Sequence, residues 1–233
     1  MTHAQERVKA RPRVRLKVVL LVVCSLAFLA AADLIYSTIH TLSRLEPIEA
    51  QRDQWQRPSA VLQALNLRWG ETVVDLGCGS GYFSLKLASA VGPSGRVIAE
   101  DIRRLPLAFV LMRSLKRGER NIHVRLGTSE DPRLSSSRAD AVLILNTYHE
   151  FSSPTTILDH VRQSLVPGGR LVIVDRSPRP MNGAVQFENH AIAWDSVEND
   201  LRHAGFEIVG LDTRMIADDP DHESWWLVAA RRP

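Results

Sequence analysis

The sequence predicts an α/β protein: a seven-stranded, mostly parallel sheet flanked by helices, with an apolar helix ahead of it. Three observations predict it. From about Pro58 onward, short apolar runs alternate with segments of helical pattern. A glycine-rich turn in "VVDLGCGSGYFS", Val73 to Ser84, joins the first such run to the next helical segment. The last two apolar runs have no helix between them, only "DTRMIADDPDHES" (212–224), which leaves the final strand free to run antiparallel.

The chain has 233 residues, enough for one domain with a sizeable core and an appendage. Its net charge of +3 is unevenly spread. Residues 1–17 form a basic tail with six Lys/Arg against one acid, leaving 23 basic and 25 acidic residues in 18–233. The folded part is therefore not a basic nucleic-acid binder, and no nucleic-acid partner is expected. The basic stretch "RSLKRGER" (113–120) has no interleaved aromatics and reads as a solvated face. Cys24 lies in an apolar run and Cys78 in the glycine stretch; neither has disulfide or metal-ligand context.

After the tail come fifteen uncharged residues, Val18–Ala32, then Asp33, then "LIYSTI". A helix over 18–39 would be about 33 Å long at roughly 1.5 Å per residue, enough to cross a bilayer. A single-pass N-terminal anchor in a bacterial inner membrane is the expectation. Export with a cleaved signal peptide, using Ala30-Ala31-Ala32 as the small-residue site, is the alternative. The cations ahead of the span favour a cytoplasmic N-terminus, which for a single span would put the rest of the chain on the far side; the face on which the folded domain lies is left open. Residues 40–57 read as a polar connector entering a helix, and 58–233 as the folded domain.

Within that domain, strands are expected at Thr72–Leu76, Arg96–Asp101, Ile122–Leu126, Ala139–Leu145, Arg170–Asp175, Phe206–Leu211 and Trp225–Ala230. Helices are expected at Ser59–Leu65, Tyr82–Val91, Leu105–Arg117, Thr155–Leu165 and Asp195–His203. "VGPSG" (91–95) and "VPGG" (166–169) each stop a helix and lead into a strand. Trp225 and Trp226 should alternate between the faces of the sheet, as core and rim.

Ligands of such sheets sit at the carboxyl ends of the strands. The first strand ends at Asp75-Leu76; Gly77, Gly79 and Gly81 follow, and a helix opens near Tyr82. Glycine there lets the backbone turn and lets a ligand lie against it, while the helix N-terminus offers free N–H groups. The dinucleotide pattern G-x-G-x-x-G fails because position 82 is Tyr, which disfavours a nicotinamide oxidoreductase. Asp75 suits an ammonium, and Asp101, ending the second strand, suits the two hydroxyls of a ribose.

"VVDLGCGSGYFS", "GRVIAEDI", "ADAVLILNTYHEF" and "LVPGGRLVIVD" together resemble the class I S-adenosylmethionine-dependent methyltransferases, from about Pro58 to the end. More narrowly, "RDQWQRP" (52–58), "NTYHE" and "DDP" resemble a group of small, mostly bacterial members that carry an N-terminal hydrophobic segment. The resemblance implies a Rossmann-like sheet in the order 3-2-1-4-5-7-6 with strand 7 antiparallel, and S-adenosylmethionine as cofactor. It implies that Gly77, Cys78, Gly79 and Gly81 form the cofactor loop, with Asp75 toward the methionine ammonium. Asp101 would take the ribose, Ile102 would pack on adenine, and Asn146 would face the cofactor. Members often carry an acid after "G" behind strand 3. Here that position is Thr128, so Ser129, Glu130 or Asp131 is expected to stand in.

Methyl transfer needs alignment and desolvation, and a base only if the nucleophile arrives protonated. Tyr148, His149 and Glu150 follow strand 4 at the active edge and are the catalytic candidates. His149 is either a base and substrate-orienting group or a structural hydrogen-bonder. Asp175, Glu188 and His190 are further candidates around the acceptor. Trp55 is either part of a lid over the cofactor or packs an N-terminal helix on the sheet. The absence of "DPPY" or "NPPY" after strand 4 speaks against amino-group methylation of adenine or glutamine by that route. The expected acceptor is small or lipophilic, with no obligate protein partner. The alternative is a non-catalytic, membrane-tethered S-adenosylmethionine-binding protein.

Overall fold

A computed structural model of the chain describes residues 12–134, 137–178, 190–217, 219–220 and 223–233. It separates into two compact units, one reaching to Ile48 and one spanning Glu49–Pro233. Helix α1 runs Pro12–Trp55. Its window Leu16–Asp33 is apolar and long enough to cross a membrane, and none of that window is buried. The connector expected over 40–57 is helical throughout as far as Trp55. Glu, Gln and Arg are good helix formers, but here they carry no apolar stripe, so periodicity could not reveal the helix.

In the second unit α2 (Pro58–Leu65) opens with proline in its first turn, where a missing N–H costs nothing. Then follow β1 (Thr72–Leu76), α3 (Tyr82–Val91), β2 (Arg96–Asp101), α4 (Arg104–Arg117), β3 (Ile122–Leu126) and β4 (Ala139–Leu145). A 3-10 turn at Tyr148–Glu150 leads to α5 (Pro154–Ser164), β5 (Leu165–Arg176), α6 (Trp194–His203), β6 (Glu207–Ile216) and β7 (Trp225–Arg231). The sheet order is β3-β2-β1-β4-β5-β7-β6. The first five strands pair in parallel, and β7 is antiparallel to both β5 and β6.

The alternation of side chains along each strand divides the core in two. Val73, Val97, Val172 and Trp225 face one side, where α2, α3 and α4 supply Leu65, Leu87 and Val110. Val74, Ile98, Ile173 and Trp226 face the other, against Leu158 of α5 and Leu201 of α6. The two tryptophans do alternate, but neither is a rim residue, since both are buried. Trp225 meets Trp55 at a tilt of 52° with ring centres 6.1 Å apart, and Trp226 donates its indole N–H to the Ile192 carbonyl at 2.8 Å.

β5 starts five residues earlier than expected. Gly168 donates to the Arg232 carbonyl and Gly169 accepts from the Arg232 N–H, both at 2.8 Å, so the chain's end extends the sheet through "VPGG". β6 runs on to Ile216, paired with Trp225 after a register shift. This shortens the expected 212–224 loop.

Candidate functional site

A cavity of about 340 Å³ opens at the carboxyl ends of β1, β2 and β4. The loop after β1 forms its floor. The N–H groups of Gly77 and Cys78 donate to the Glu100 carbonyl at 3.0 and 2.8 Å, which ties the loop to the end of β2. The glycines serve different ends. A Cβ on Gly77 would strike the Thr147 side chain, and one on Gly81 would lie 2.9 Å from Val110 Cγ2. At Gly79, with φ of 52°, a Cβ would meet nothing within 4 Å. Gly77 and Gly79 line the cavity. Gly81 is the N-cap of α3 at the end of the same loop, set against Val110 of α4 rather than in the cavity wall.

Two of the expected acids line this wall, both 3% exposed. Asp75 accepts a hydrogen bond from Ser84 Oγ at 2.5 Å. Burial pushes its carboxyl up to about 6, against the opposing pull of the Ser84 hydroxyl. Asp101 accepts from the Gly79 N–H at 3.1 Å and from the Arg103 N–H at 2.8 Å. Its ion pair with Arg103 Nε spans 3.3 Å. The carboxylate is thus held at the lip of the loop by two backbone donors. Ile102 is 53% exposed beside it, an apolar shelf on the cavity wall. The Cys78 thiol also lines the cavity, and burial raises its pKa far out of the reactive range.

Beyond β3, Thr128, Ser129 and Pro132 complete one end of the cavity. Glu130 is exposed and absent from the wall; Asp131 is absent from it too, and its Oδ1 accepts from the Arg133 N–H. Two side chains missed in the sequence do line it. Arg52 places its guanidinium 4.2 Å from the Tyr82 ring centre, and burial lowers its pKa. Glu100 is 2% exposed, and its Oε1 has no hydrogen-bond partner among the described residues. An acid directly before Asp101 in an otherwise apolar strand was the available signal.

The corner after β4 sorts its candidates. Asn146, at φ of 54°, and Glu150 line the cavity. Tyr148 does not. It is 1% exposed, its ring packs 5.4 Å from Phe151, and its hydroxyl donates to Asp200 Oδ2 at 3.0 Å. That placement corrects Tyr148 to a core residue. His149 is also withheld: its side chain is 3% exposed, and Asp175 receives both its backbone N–H at 3.1 Å and a 2.8 Å contact from Nδ1. Since a carboxylate only accepts, Nδ1 carries the proton and Nε2 is left 3.9 Å from Glu150 Oε1. His190 meets the His149 ring edge-on at 5.9 Å. Glu188 lies outside the described residues.

Next to the main cavity is a smaller one of about 230 Å³ that shares Arg52 and Asn146 with it. Arg176 pairs with Glu223 at 3.0 Å and donates from Nε to Asn146 Oδ1 at 3.0 Å. That bond orients the amide, turning the Asn146 Nδ2 donor away from Arg176. Trp55 borders this second cavity and packs on Trp225, so its packing role is realised.

The Methyltransferase domain family model matches residues 67–226. A demethylmenaquinone methyltransferase of Lactococcus lactis is 27% identical over 127 residues, covering 54% of this chain and 50% of the relative. An arsenite methyltransferase of Halobacterium salinarum is 29% identical over 177 residues, covering 69% of this chain and 45% of the relative. The chain thus spans about half the length of these curated relatives. The crystal structure of an S-adenosylmethionine-dependent methyltransferase from Aquifex aeolicus superposes with a TM-score of 0.69 at 21% identity, covering 82% of this chain and 98% of that one. With the family model spanning most of its length and the sheet order matching, the chain belongs to the class I S-adenosylmethionine-dependent methyltransferase family.

Proposed function

We propose that this protein transfers the methyl group of S-adenosylmethionine to a small or lipophilic acceptor, and that it does so at a membrane. One observation carries the first part. The glycine loop, Asp75 and Asp101 meet in a single cavity whose floor has open space at Gly79, and a second cavity adjoins it through Arg52 and Asn146. The residues fit the cofactor by type: Asp75 for an ammonium, Asp101 for a diol, Ile102 for an aromatic face, Arg52 for a carboxylate. When bound, S-adenosylmethionine supplies an electrophilic methyl on a sulfonium; the chain's own work is to align an acceptor behind it and keep water out.

The second cavity is the proposed acceptor site. Its shared wall presents donors, Arg52 and the Asn146 amide N–H, while Asp219 and Glu223 offset the arginines Arg52 and Arg176, which favours a neutral acceptor with a lone-pair oxygen. Glu150 is the proposed recipient of a proton from an acceptor that arrives protonated, since it lines the main cavity. His149 positions the corner, braced by Asp175. Ser129 lies at the far end and contributes to the cofactor wall.

The membrane part rests on the exposed apolar window Leu16–Asp33. A lipid-dissolved acceptor would be concentrated by such an anchor, and two relatives are demethylmenaquinone methyltransferases. The test measures the melting temperature of the full chain with and without S-adenosylmethionine and its demethylated product, then methyl incorporation into a panel of quinols, phenols and carboxylic acids. A ligand at 100 times its Kd stabilises by about 2.7 kcal/mol. A shift abolished by Asp101→Ala, followed by turnover of an oxygen or ring-carbon acceptor, supports the reading. A shift without turnover of any acceptor points to a binding protein, and no shift overturns the assignment of the cavity.

A further inference from the structure

Helix α4 turns Leu107, Val110 and Ser114 inward and still carries an apolar row on its outer side. Leu105, Ala108, Leu111 and Leu115 follow one another at spacings of three and four residues, so they share a face. The three leucines are 67%, 42% and 77% exposed. A lone exposed leucine needs no explanation, but three along one helix make a patch. The row begins at the rim of the main cavity, where the exposed Ile102 forms part of the wall.

Charge accompanies this row. Between positions 102 and 120 the exposed charged side chains are Arg103, Arg104, Lys116, Arg117 and Arg120, all cations, and the one acid outside the core, Glu119, is half-buried. Some of these have local reasons. Lys116 and Arg117 close the helix, where its dipole favours cations, and Arg103 pairs with Asp101. Arg104 has no such reason: it opens the helix, where the dipole opposes a cation, and no acid stands in that first turn. Arg120 lies beyond the Gly118 cap, past the last turn.

The chemistry of the face selects its occupant. A second copy laid antiparallel on the same face would set Arg104 against Arg117 and Arg120, like charge on like. A single-stranded nucleic acid asks for aromatic platforms among the cations, and the exposed row has none. Leucines bordered by cations match the boundary between acyl chains and anionic headgroups. We propose that the outer face of α4 rests on an anionic bilayer surface, with Leu105, Leu111 and Leu115 at the acyl boundary and the arginines at the lipid phosphates. The inference rests on the membrane reading above and adds to it a second contact, made by the folded unit itself. Three leucines are too few to hold a domain on a bilayer alone. A chain already anchored meets the surface at high effective concentration, where a weak contact is enough.

The test uses the full chain with phosphatidylcholine vesicles, with and without phosphatidylglycerol. Leu115→Cys in a Cys24→Ser background carries an uncharged dye that reports polarity; Cys78 is buried and escapes labelling. Val209→Cys is the control: it is 55% exposed on β6, at the opposite edge of the sheet from β3. Flotation reads anchoring, and the dye reads the α4 contact. The Leu115 dye should shift to the blue and be quenched by headgroup-depth spin-labelled lipid on the mixed vesicles only, while the Val209 dye stays in water on both. Each cation near such a surface is worth about fivefold in partitioning, so Arg104→Gln/Arg117→Gln/Arg120→Gln should weaken the contact by about a hundredfold. That triple variant should still float and still bind S-adenosylhomocysteine. A chain that floats while its Leu115 dye stays in water on mixed vesicles overturns the inference, as do equal shifts at Leu115 and Val209 or a shift unchanged in the triple variant. A Leu115 dye buried before vesicles are added, with a doubling of mass in light scattering, assigns the face to a second copy and overturns it too. Flotation with the mixed vesicles alone, together with the Leu115 shift, removes the anchor and keeps the α4 contact; flotation with neither removes both.

Discussion

Gly77 and Gly79 stand two residues apart, yet substitution should injure the protein differently at each. Both sit at positive φ, 75° and 52°, so alanine costs about 1–2 kcal/mol of backbone strain at either. At Gly77 the new Cβ also collides with Thr147, whereas at Gly79 it enters open space above the cavity floor. Gly77→Ala should lower the melting temperature more than Gly79→Ala does, and Gly77→Ala/Thr147→Gly should recover part of that loss. Gly79→Ala should instead lose affinity for S-adenosylhomocysteine out of proportion to its stability. Equal effects of the two single variants on both readouts would contradict this division. Asp75 shows the same tension between stability and binding. Its carboxyl is raised to about 6 when folded, against 3.8 ordinarily, so the folded state holds the extra proton between those values. That contribution is fully present below pH 4 and is lost as pH rises through 6, leaving a buried charge that costs on the order of 2–3 kcal/mol. Asp75→Asn should therefore stabilise the unliganded protein at pH 7.5 relative to pH 5, and weaken cofactor binding. Parallel stability–pH curves for variant and wild type would refute it.

At the scale of elements, a buried ion pair ties α4 to the end of α1. Arg113 pairs with Glu49 at 2.5 Å, with the two side chains 5% and 13% exposed, and it also donates to the Ser80 carbonyl at 2.6 Å. A buried cation therefore fixes the cofactor loop to both helices. Breaking such a pair by removing one partner costs about 3–5 kcal/mol, because the other charge is left buried. Glu49→Gln should lower the unfolding midpoint in denaturant and weaken cofactor binding together, since Ser80 loses its anchored donor. An unchanged midpoint would mean that water satisfies Arg113. None of this was legible in the sequence, where 113–120 reads as a solvated basic face; the partner of Arg113 lies 64 positions away. The elements themselves were legible for local reasons. β1 to β4 fall on the expected residues because short apolar runs are bounded there by Gly and polar punctuation. β5 and β6 ran longer than expected because their extra residues pair with Arg232 and Trp225, far away in sequence, which no local pattern encodes. The site shows the same limit. Asp75 and Asp101 were visible as acids at strand ends beside a glycine turn. Glu100 is hidden by adjacency to Asp101, and Tyr148 follows β4 at the active edge in sequence while its hydroxyl bonds Asp200 in the core.

For the whole molecule, the question is what the first unit contributes. The first cavity-lining side chain is Arg52, so removing residues 1–48 leaves every side chain of both cavities in the remaining unit, Glu49–Pro233. A 49–233 fragment is expected to fold and to bind S-adenosylhomocysteine as the full chain does, with no need for detergent. The full chain is expected to float with lipid vesicles and the fragment to stay behind, because Leu16–Asp33 exposes its apolar side chains and six cations precede or enter that segment. Turnover then separates anchoring from chemistry. On a water-soluble acceptor the two proteins should be equally fast, because tethering adds no contact to the acceptor. On a quinol dissolved in the vesicles the full chain should be faster, by the ratio of local to bulk acceptor concentration, and dilution of the vesicles should slow the fragment far more than the full chain. Equal rates on the vesicle-bound quinol would leave the apolar helix without a role in catalysis and move it toward the signal-peptide alternative. A fragment that fails on both acceptors while still binding cofactor would overturn the assignment of the second cavity as the acceptor site.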